Sequence, residues 1–175
     1  WPLESNEKSA IRNRFNLLPK EADRQFIYTM DALRANRRAI VSIDSSILNV
    51  TGGTVSLVYA HDSSKVNYTG GGWCSVMETY DASTANLSGG FNDLFAHGSS
   101  TVNLMGESAG EIWATYDSST MNIPGGRSDY LQAHDSSQLN ISGGSFWASA
   151  SESSKVNISG GTITLSASDS AMGTI

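Results

Sequence analysis

The chain has 175 residues, 39% of them hydrophobic, which suits one domain with a modest core. Its net charge of −6 combines +3 in residues 1–38 with −9 in residues 40–175, where 12 Asp and Glu accompany 3 Lys and Arg. The acidic repeats argue against nucleic-acid binding, because phosphate contact needs clustered basic side chains. The single cysteine, Cys74, excludes an internal disulfide, and no apolar run approaches the ~20 residues that span a membrane.

Residues 1–39 are predicted to form one or two amphipathic helices. Phe26 and Met30 begin an apolar stripe with i, i+4, i+7 spacing, and a shorter segment around Phe15 has a similar stripe. Acidic residues precede the arginines in this segment, as the helix macrodipole prefers. Because such helices cannot form a core alone, we expect this helical head to cover the first coil or another subunit.

Residues 40–175 consist of repeats of the pattern Asp-Ser-Ser-x-apolar-Asn-apolar-x-Gly-Gly. The asparagine recurs in steps of 18, 19, 17, 19, 18 and 17 residues, at Asn49, Asn67, Asn86, Asn103, Asn122, Asn140 and Asn157. A fixed short period indicates a solenoid in which each repeat is one coil stacked on the last. A period near 18 is too short for a helix pair, and Ser, Asn, Gly and Thr are poor helix formers. The predicted fold is therefore an all-β parallel β-helix of about seven coils.

Each coil is expected to contain two strands, with a third short strand left open. Apolar residues flank every asparagine, as Val66 and Tyr68 flank Asn67, and this alternation is typical of a half-buried strand whose Asn points outward or into a turn. The stacked amides can then donate and accept along a structural ladder. All length variation falls between the Gly pair and the next Asp position, where an extra residue is expected as a bulge or a longer turn. The aspartates themselves are expected to form Asx turns.

The residue before each Asp position forms what we call the His/Tyr column: His61, Tyr80, His97, Tyr116 and His134. The structural interpretation is a stack of flat rings that stabilises the corner of the coil. The functional interpretation is a platform for sugars or another flat ligand. A shared metal ion is disfavoured, because histidines of alternate coils lie about 9.6 Å apart, whereas zinc needs its nitrogen ligands within about 2.1 Å. No metal site and no cofactor are predicted.

Three acidic residues, Asp93, Glu111 and Asp129, fall in corresponding parts of successive coils. Two carboxylates about 5–9 Å apart suit glycosidic chemistry, so a carbohydrate-active enzyme is one alternative. Against it, the three acids are not in one strict register, and no histidine stands beside them. The preferred prediction is therefore that the protein is not an enzyme.

The repeats resemble those of bacterial exported and cell-surface parallel β-helix proteins, which include adhesin-like and autotransporter-passenger-like chains. Two repeats carry this resemblance, Asp-Ser-Ser-Gln-Leu-Asn-Ile-Ser-Gly-Gly at 135–144 and Ser-Ser-Lys-Val-Asn-Ile-Ser-Gly-Gly at 153–161. It implies export to a bacterial cell surface or the extracellular space, and a structural or adhesive role.

The last repeat stops part way through a coil, without a polar or helical cap. An uncovered solenoid end is an unpaired strand edge, so we expect either a piece of a longer solenoid or an end covered by another copy. The second alternative predicts a self-assembling fibre or surface-layer subunit that associates end to end or head to body. Its interface residues would be Phe15, Phe26, Met30, Ile163 and Leu165. The alternative function is a glycan-binding adhesin that uses the His/Tyr column.

Overall fold

The computed structural model describes residues 27–30, 37–42, 44–69, 73–106 and 108–174. Within these ranges the chain forms 17 β-strands and no helix. The odd-numbered strands form a nine-stranded parallel sheet, sheet A, and the even-numbered strands form an eight-stranded parallel sheet, sheet B. Each coil contributes one strand to each sheet. The predicted parallel β-helix of about seven coils is therefore confirmed.

The strands of sheet A are short, and those of sheet B are mostly longer. Sheet A contains β1 Ile27–Met30, β3 Ile47–Val50, β5 Lys65–Tyr68, β7 Thr84–Leu87, β9 Thr101–Leu104, β11 Thr120–Ile123, β13 Gln138–Ile141, β15 Lys155–Ile158 and β17 Met172–Thr174. Sheet B contains β2 Arg37–Ser42, β4 Thr54–Ala60, β6 Trp73–Thr79, β8 Gly90–Ala96, β10 Ala109–Thr115, β12 Arg127–Ala133, β14 Ser145–Ala150 and β16 Thr162–Ala167.

The first two strands lie wholly or partly inside the segment that was predicted to be helical. β1 pairs with β3, so that Met30 lies opposite Val50, and β2 pairs with β4. The helix prediction for residues 1–39 was therefore wrong for β1 and for the part of β2 that it includes. The run Ile-Tyr-Thr favours a strand, and pairing with the next coil supplies its backbone partners. Phe15 and Phe26 lie outside the described residues.

Alternation of side chains fills the interior of the solenoid. In β9, Val102 and Leu104 are buried, whereas Thr101 and Asn103 face outward and are half-buried. Four strands of sheet B, β4, β6, β8 and β12, bury their second, fifth and seventh residues. This spacing leaves two consecutive outward residues at the third and fourth positions. The interior is a continuous apolar core that runs through the stacked coils.

The predicted bulge lies in sheet B. β12 has seven residues and β14 has six, and the register between them shifts between Ser128 and Leu131. As a result, Asp129 and Tyr130 together lie opposite the single residue Trp147. This bulge absorbs one difference in repeat length on the outward side of sheet B, and the buried columns stay aligned. The five strands β4, β6, β8, β10 and β12 all have seven residues, so the other differences lie in the turns.

Cys74 is a core residue. Its side chain is fully buried, its Sγ lies 3.3 Å from the carbonyl oxygen of Val76, and burial raises the pKa of the thiol to about 12. A protonated, inaccessible thiol is a packing element and not a nucleophile.

The neighbouring coils bury Tyr68 against Phe91 with ring centroids 5.1 Å apart, and the Tyr68 hydroxyl donates to the Gly53 carbonyl.

Candidate functional site

The turn from sheet B to sheet A requires a left-handed backbone at the Asp position of each coil. Gly98 adopts a φ of 67° there, and the φ values of the other seven coils lie between 57° and 60°, at Asp44, Asp62, Asp81, Asp117, Asp135, Glu152 and Asp169. Asp is among the few side chains that tolerate this conformation. The acidic column on this edge therefore follows first from backbone geometry.

The carboxylates of this turn accept hydrogen bonds from the preceding coil. The N–H of Asp44 donates to the Asp62 carboxylate at 3.1 Å, and the N–H of Asp117 donates to the Asp135 carboxylate at 2.9 Å. These bonds run between coils, whereas an Asx turn was expected within each one. The serine two residues after the Asp position is buried in six coils, and the Oγ of one of them, Ser119, donates to the Ala96 carbonyl at 2.9 Å. The turn of each coil is therefore hydrogen-bonded to the neighbouring coil.

The His/Tyr column forms a continuous stack of five parallel rings. Successive ring centroids lie 4.6, 4.8, 4.8 and 5.0 Å apart, with interplanar angles of 4°, 10°, 6° and 5°. The Ser151 hydroxyl lies 3.0 Å from Nδ1 of His134 at one end, and the Tyr80 hydroxyl donates to the Glu78 carboxylate. Neighbouring rings cover each other's faces, so only ring edges are left for a ligand. This geometry supports the structural interpretation of the column.

Burial within the column also shifts the pKa values of three of its rings. Burial lowers the pKa of His97 below its ordinary value, although the charge of Glu78 acts in the opposite direction. Burial raises the pKa of Tyr116, and burial together with the hydrogen bond to Glu78 raises that of Tyr80. All three shifts favour the neutral form of the ring concerned.

Alternate coils differ behind the His/Tyr column. Each tyrosine of the column follows a buried threonine, and each histidine follows a buried alanine. The Oγ1 of Thr79 lies 2.8 Å from the Oγ of Ser100, and the Oγ1 of Thr115 lies 2.9 Å from the Oγ of Ser137. This two-coil alternation is visible in the sequence as Thr-Tyr and Ala-His pairs.

The asparagine ladder lies on the outer face of sheet A. Each Nδ2 donates to the Oδ1 of the preceding coil at 2.7–2.9 Å, from Asn157 through to Asn49. A shallow groove of about 500 Å³ runs along the ladder between Asn103 and Thr174, and none of the described residues that line it is charged. Gln138 also donates to the Oδ1 of Asn140 at 2.7 Å, so the protein itself occupies part of the hydrogen-bonding capacity that the ladder amides have left.

The three acids that were considered for catalysis lie on the outer face of sheet B. Glu111 is adjacent to Asp129 on the next coil, whereas Asp93 is in register with Ile112. Each carboxylate has a structural partner: Asn92 donates to Glu111 at 3.2 Å, the Ile112 N–H donates to Asp93 at 3.2 Å, and Arg127 lies 3.5 Å from Asp129. Among the described residues, no three His, Cys, Asp or Glu side chains are placed to share a metal ion.

Two exposed aromatic residues were missed in the sequence. Tyr130 is 53% exposed and Trp147 is 68% exposed, and they occupy the bulge region of adjacent coils. We call Tyr130, Trp147 and the adjacent Asp129 the aromatic patch. The run Phe146-Trp147-Ala148 indicates the exposure of Trp147, because side chains alternate along a strand and the Phe and the Ala on either side are buried.

Comparison of the chain with models of protein families, with curated proteins and with solved structures finds no match in any of the three. The fold itself defines the class, a parallel β-solenoid of two sheets. In the part of the chain that the structure describes, no helix is long and apolar enough to cross a membrane.

Proposed function

We propose that this protein is a non-enzymatic structural subunit, exported to the bacterial cell surface, whose solenoids associate into fibres or a surface layer. The observation that carries the proposal is the identity of the contacts from coil to coil. The same amide, carboxylate and backbone bonds repeat by translation along the rod. A surface that binds its own repeat in this way is complementary to another copy placed in the same register.

The apolar interior of the last described coils supports an association at that end. Ile163 and Leu165 of β16 are half-buried, although their register partners Phe146 and Ala148 are only 2% and 4% exposed. Met172 on β17 is 56% exposed. A further layer in register would remove this apolar surface from water, at roughly 25 cal/mol per Å² buried.

The direction of the strands favours a head-to-tail arrangement. All strands of both sheets are parallel, and the outermost described strands are β1 and β17 in sheet A and β2 and β16 in sheet B. A contact that continues this parallel pairing therefore joins an edge at one end of the rod to the opposite end of a second copy. Such a contact uses two different surfaces and propagates when it does not close. Phe15, Phe26 and Met30 remain proposed contacts of the opposite end.

The experiment is analytical ultracentrifugation across a wide concentration range, combined with negative-stain electron microscopy. We expect the mass of the wild-type chain to rise with concentration and Leu165→Asp to shift the equilibrium to monomer. Thr164→Asp is the matched control, because Thr164 is exposed on the outer side of the same strand. A wild-type chain that stays a monodisperse monomer at every concentration would contradict the proposal.

Glycan binding is the second candidate function. Its original basis, the His/Tyr column, presents ring edges only, because neighbouring rings cover the faces. A different observation favours it, the exposed rings of Tyr130 and Trp147 on sheet B.

A further inference from the structure

We propose that the aromatic patch, with the carboxylates beside it, binds a linear polysaccharide that carries free amino groups. The proposal goes beyond the structural role above and does not depend on self-association. It assigns a ligand class to residues that take no part in the core, the asparagine ladder or the His/Tyr column.

The aromatic patch is formed by the bulge in sheet B. Because Asp129 and Tyr130 together lie opposite Trp147, two large aromatic side chains from adjacent coils lie on the same outward surface. Their exposures of 53% and 68% contrast with those of the buried aromatics Tyr68, Phe91 and Trp113, which are all at 0%. Exposed aromatic side chains on one face, with polar residues beside them, are a feature of binding sites.

The side chains around the rings are those that a sugar requires. A flat aromatic face can pack against the apolar C–H face of a pyranose ring, while polar groups at the rim bond its hydroxyls. The rim contains the exposed pair Arg127 and Asp129, with 77% and 55% of their side chains accessible. On the preceding coil, Glu111 is exposed and accepts a hydrogen bond from Asn92. These groups give both donors and acceptors within one coil of the rings.

The charge around the rings selects a cationic glycan. Asp93, Glu111 and Asp129 lie on three neighbouring strands of sheet B, and Arg127 is the basic residue beside them. The net charge of these four side chains is therefore −2. Residues 40–175 as a whole carry 12 acids and 3 bases. The faces of aromatic rings also attract ammonium groups. A polyanionic glycan would be repelled, whereas amines on a sugar chain would gain from both the carboxylates and the rings.

The site is laid out along the axis of the rod. Glu111 on β10, Tyr130 on β12 and Trp147 on β14 belong to successive coils, which are separated by about 4.8 Å in a parallel sheet. A linear chain that follows this direction would meet a carboxylate, then one ring and then the other. An extended polymer therefore fits the patch better than a single sugar.

The experiment is isothermal titration calorimetry of the full chain with three probes. They are a fully deacetylated glucosamine hexamer, the same hexamer fully N-acetylated, and hexalysine. We expect the deacetylated hexamer to bind most tightly, and Trp147→Ala and Tyr130→Ala each to weaken it roughly tenfold. Trp73→Ala is the matched control, because Trp73 is a partly exposed tryptophan elsewhere on sheet B, and it should leave the affinity unchanged.

Three results would overturn the proposal. Unchanged affinity in Trp147→Ala would show that the indole ring does not contact the glycan. Equal binding of hexalysine and the deacetylated hexamer would reduce the interaction to charge alone, and equal binding of the acetylated hexamer would remove the role of the amines. Asp129→Asn isolates the contribution of the carboxylate charge. It should weaken the binding of the deacetylated hexamer and leave the binding of the acetylated hexamer unchanged. The substituted side chains are exposed, and thermal unfolding of each variant verifies that the fold is retained.

Discussion

The side-chain amide of Asn122 donates to that of Asn103 at 2.7 Å, although 19 residues separate the two along the chain. The bond belongs to a file of seven asparagines on the outer face of sheet A. Each inner member donates one bond to one ladder neighbour and accepts one from the other. An asparagine in the middle of the file therefore supports two interfaces between coils, and one at the edge supports fewer.

Asn103→Ala should lower the free energy of unfolding by about 1–3 kcal/mol, because it removes two amide bonds of about 0.5–1.5 kcal/mol each. Half-burial of the ladder places the expected value toward the lower end of that range. Urea denaturation at neutral pH measures the change. Thr101→Ala is the control, since Thr101 faces outward on the same strand and lies in a different column. Equal losses in the two variants would show that the ladder adds nothing to stability.

Gly126→Ala should destabilise the solenoid far more than Gly106→Ala. The two glycines have similar φ values, 99° and 92°, so the backbone strain of an alanine is comparable at both positions. A Cβ at Gly126 would lie 2.1 Å from the carbonyl oxygen of Ser108 on the preceding coil, whereas a Cβ at Gly106 meets nothing within 4 Å.

We expect Gly106→Ala to lose roughly 1–3 kcal/mol of stability from strain alone. The loss in Gly126→Ala should exceed it clearly, because two coils must separate. Thermal unfolding followed by circular dichroism in the far ultraviolet compares the two. If both variants melt at the same temperature, close contact between coils is not what requires glycine at this corner.

Much of the fold could be predicted because stacked coils place the same residue types at equivalent positions, so the pattern repeats along the sequence. The repeat of Asn67, Asn86 and Asn103 fixed the length of one coil, and the apolar residues beside them fixed which side faces inward. Residues near the start could not be predicted in the same way. The spacing of Phe26 and Met30 fits a helix, and only pairing with β3 reveals that Ile27–Met30 is a strand.

The candidate sites were harder to predict than the fold. The His/Tyr column was evident as a pattern, but its use depends on whether ring faces or ring edges are accessible, and that follows from the three-dimensional stack. The aromatic patch was overlooked because Tyr130 and Trp147 do not occupy equivalent repeat positions. A local bulge brings them to one surface, and a bulge changes the pairing register without leaving a repeat in the sequence.

Gly98 offers a substitution that should extend a stabilising column. It occupies the left-handed turn position that aspartate holds in the neighbouring coils, and it has no carboxylate to offer to Asp81. A Cβ there would lie 2.9 Å from the Asp81 nitrogen, which is too close, so the backbone must shift for any side chain at this position. After that shift an aspartate carboxylate comes within reach of the Asp81 N–H.

We therefore expect Gly98→Asp to be about 1 kcal/mol more stable than Gly98→Ala, since both variants carry the same backbone strain and only the first adds an acceptor. Urea unfolding of the pair measures the difference. Gly98→Asn extends the comparison, because its side-chain carbonyl can accept the bond without a charge. Equal stability of the aspartate and alanine variants would show that the carboxylates of this column add nothing.

Mild acid should destabilise the protein through His97. Burial lowers the pKa of His97 in the folded chain below the ordinary value of 6.5, so the unfolded chain binds more protons as the pH falls through that value. Stability from this group is thus fully present above pH 6.5 and is lost as the pH falls toward the lower, folded pKa. Glu78 and Asp117 raise the pKa, so their charges limit the effect without reversing it.

His97→Phe tests the titration while a flat ring stays between Tyr80 and Tyr116, whose centroids each lie 4.8 Å from that of His97. We expect the free energy of unfolding of the wild-type chain to fall more steeply between pH 7 and pH 5 than that of the variant. Chemical denaturation at a series of pH values gives both slopes. Identical slopes would mean that protonation of His97 does not oppose the folded stack, and that carboxylates elsewhere account for the acid dependence.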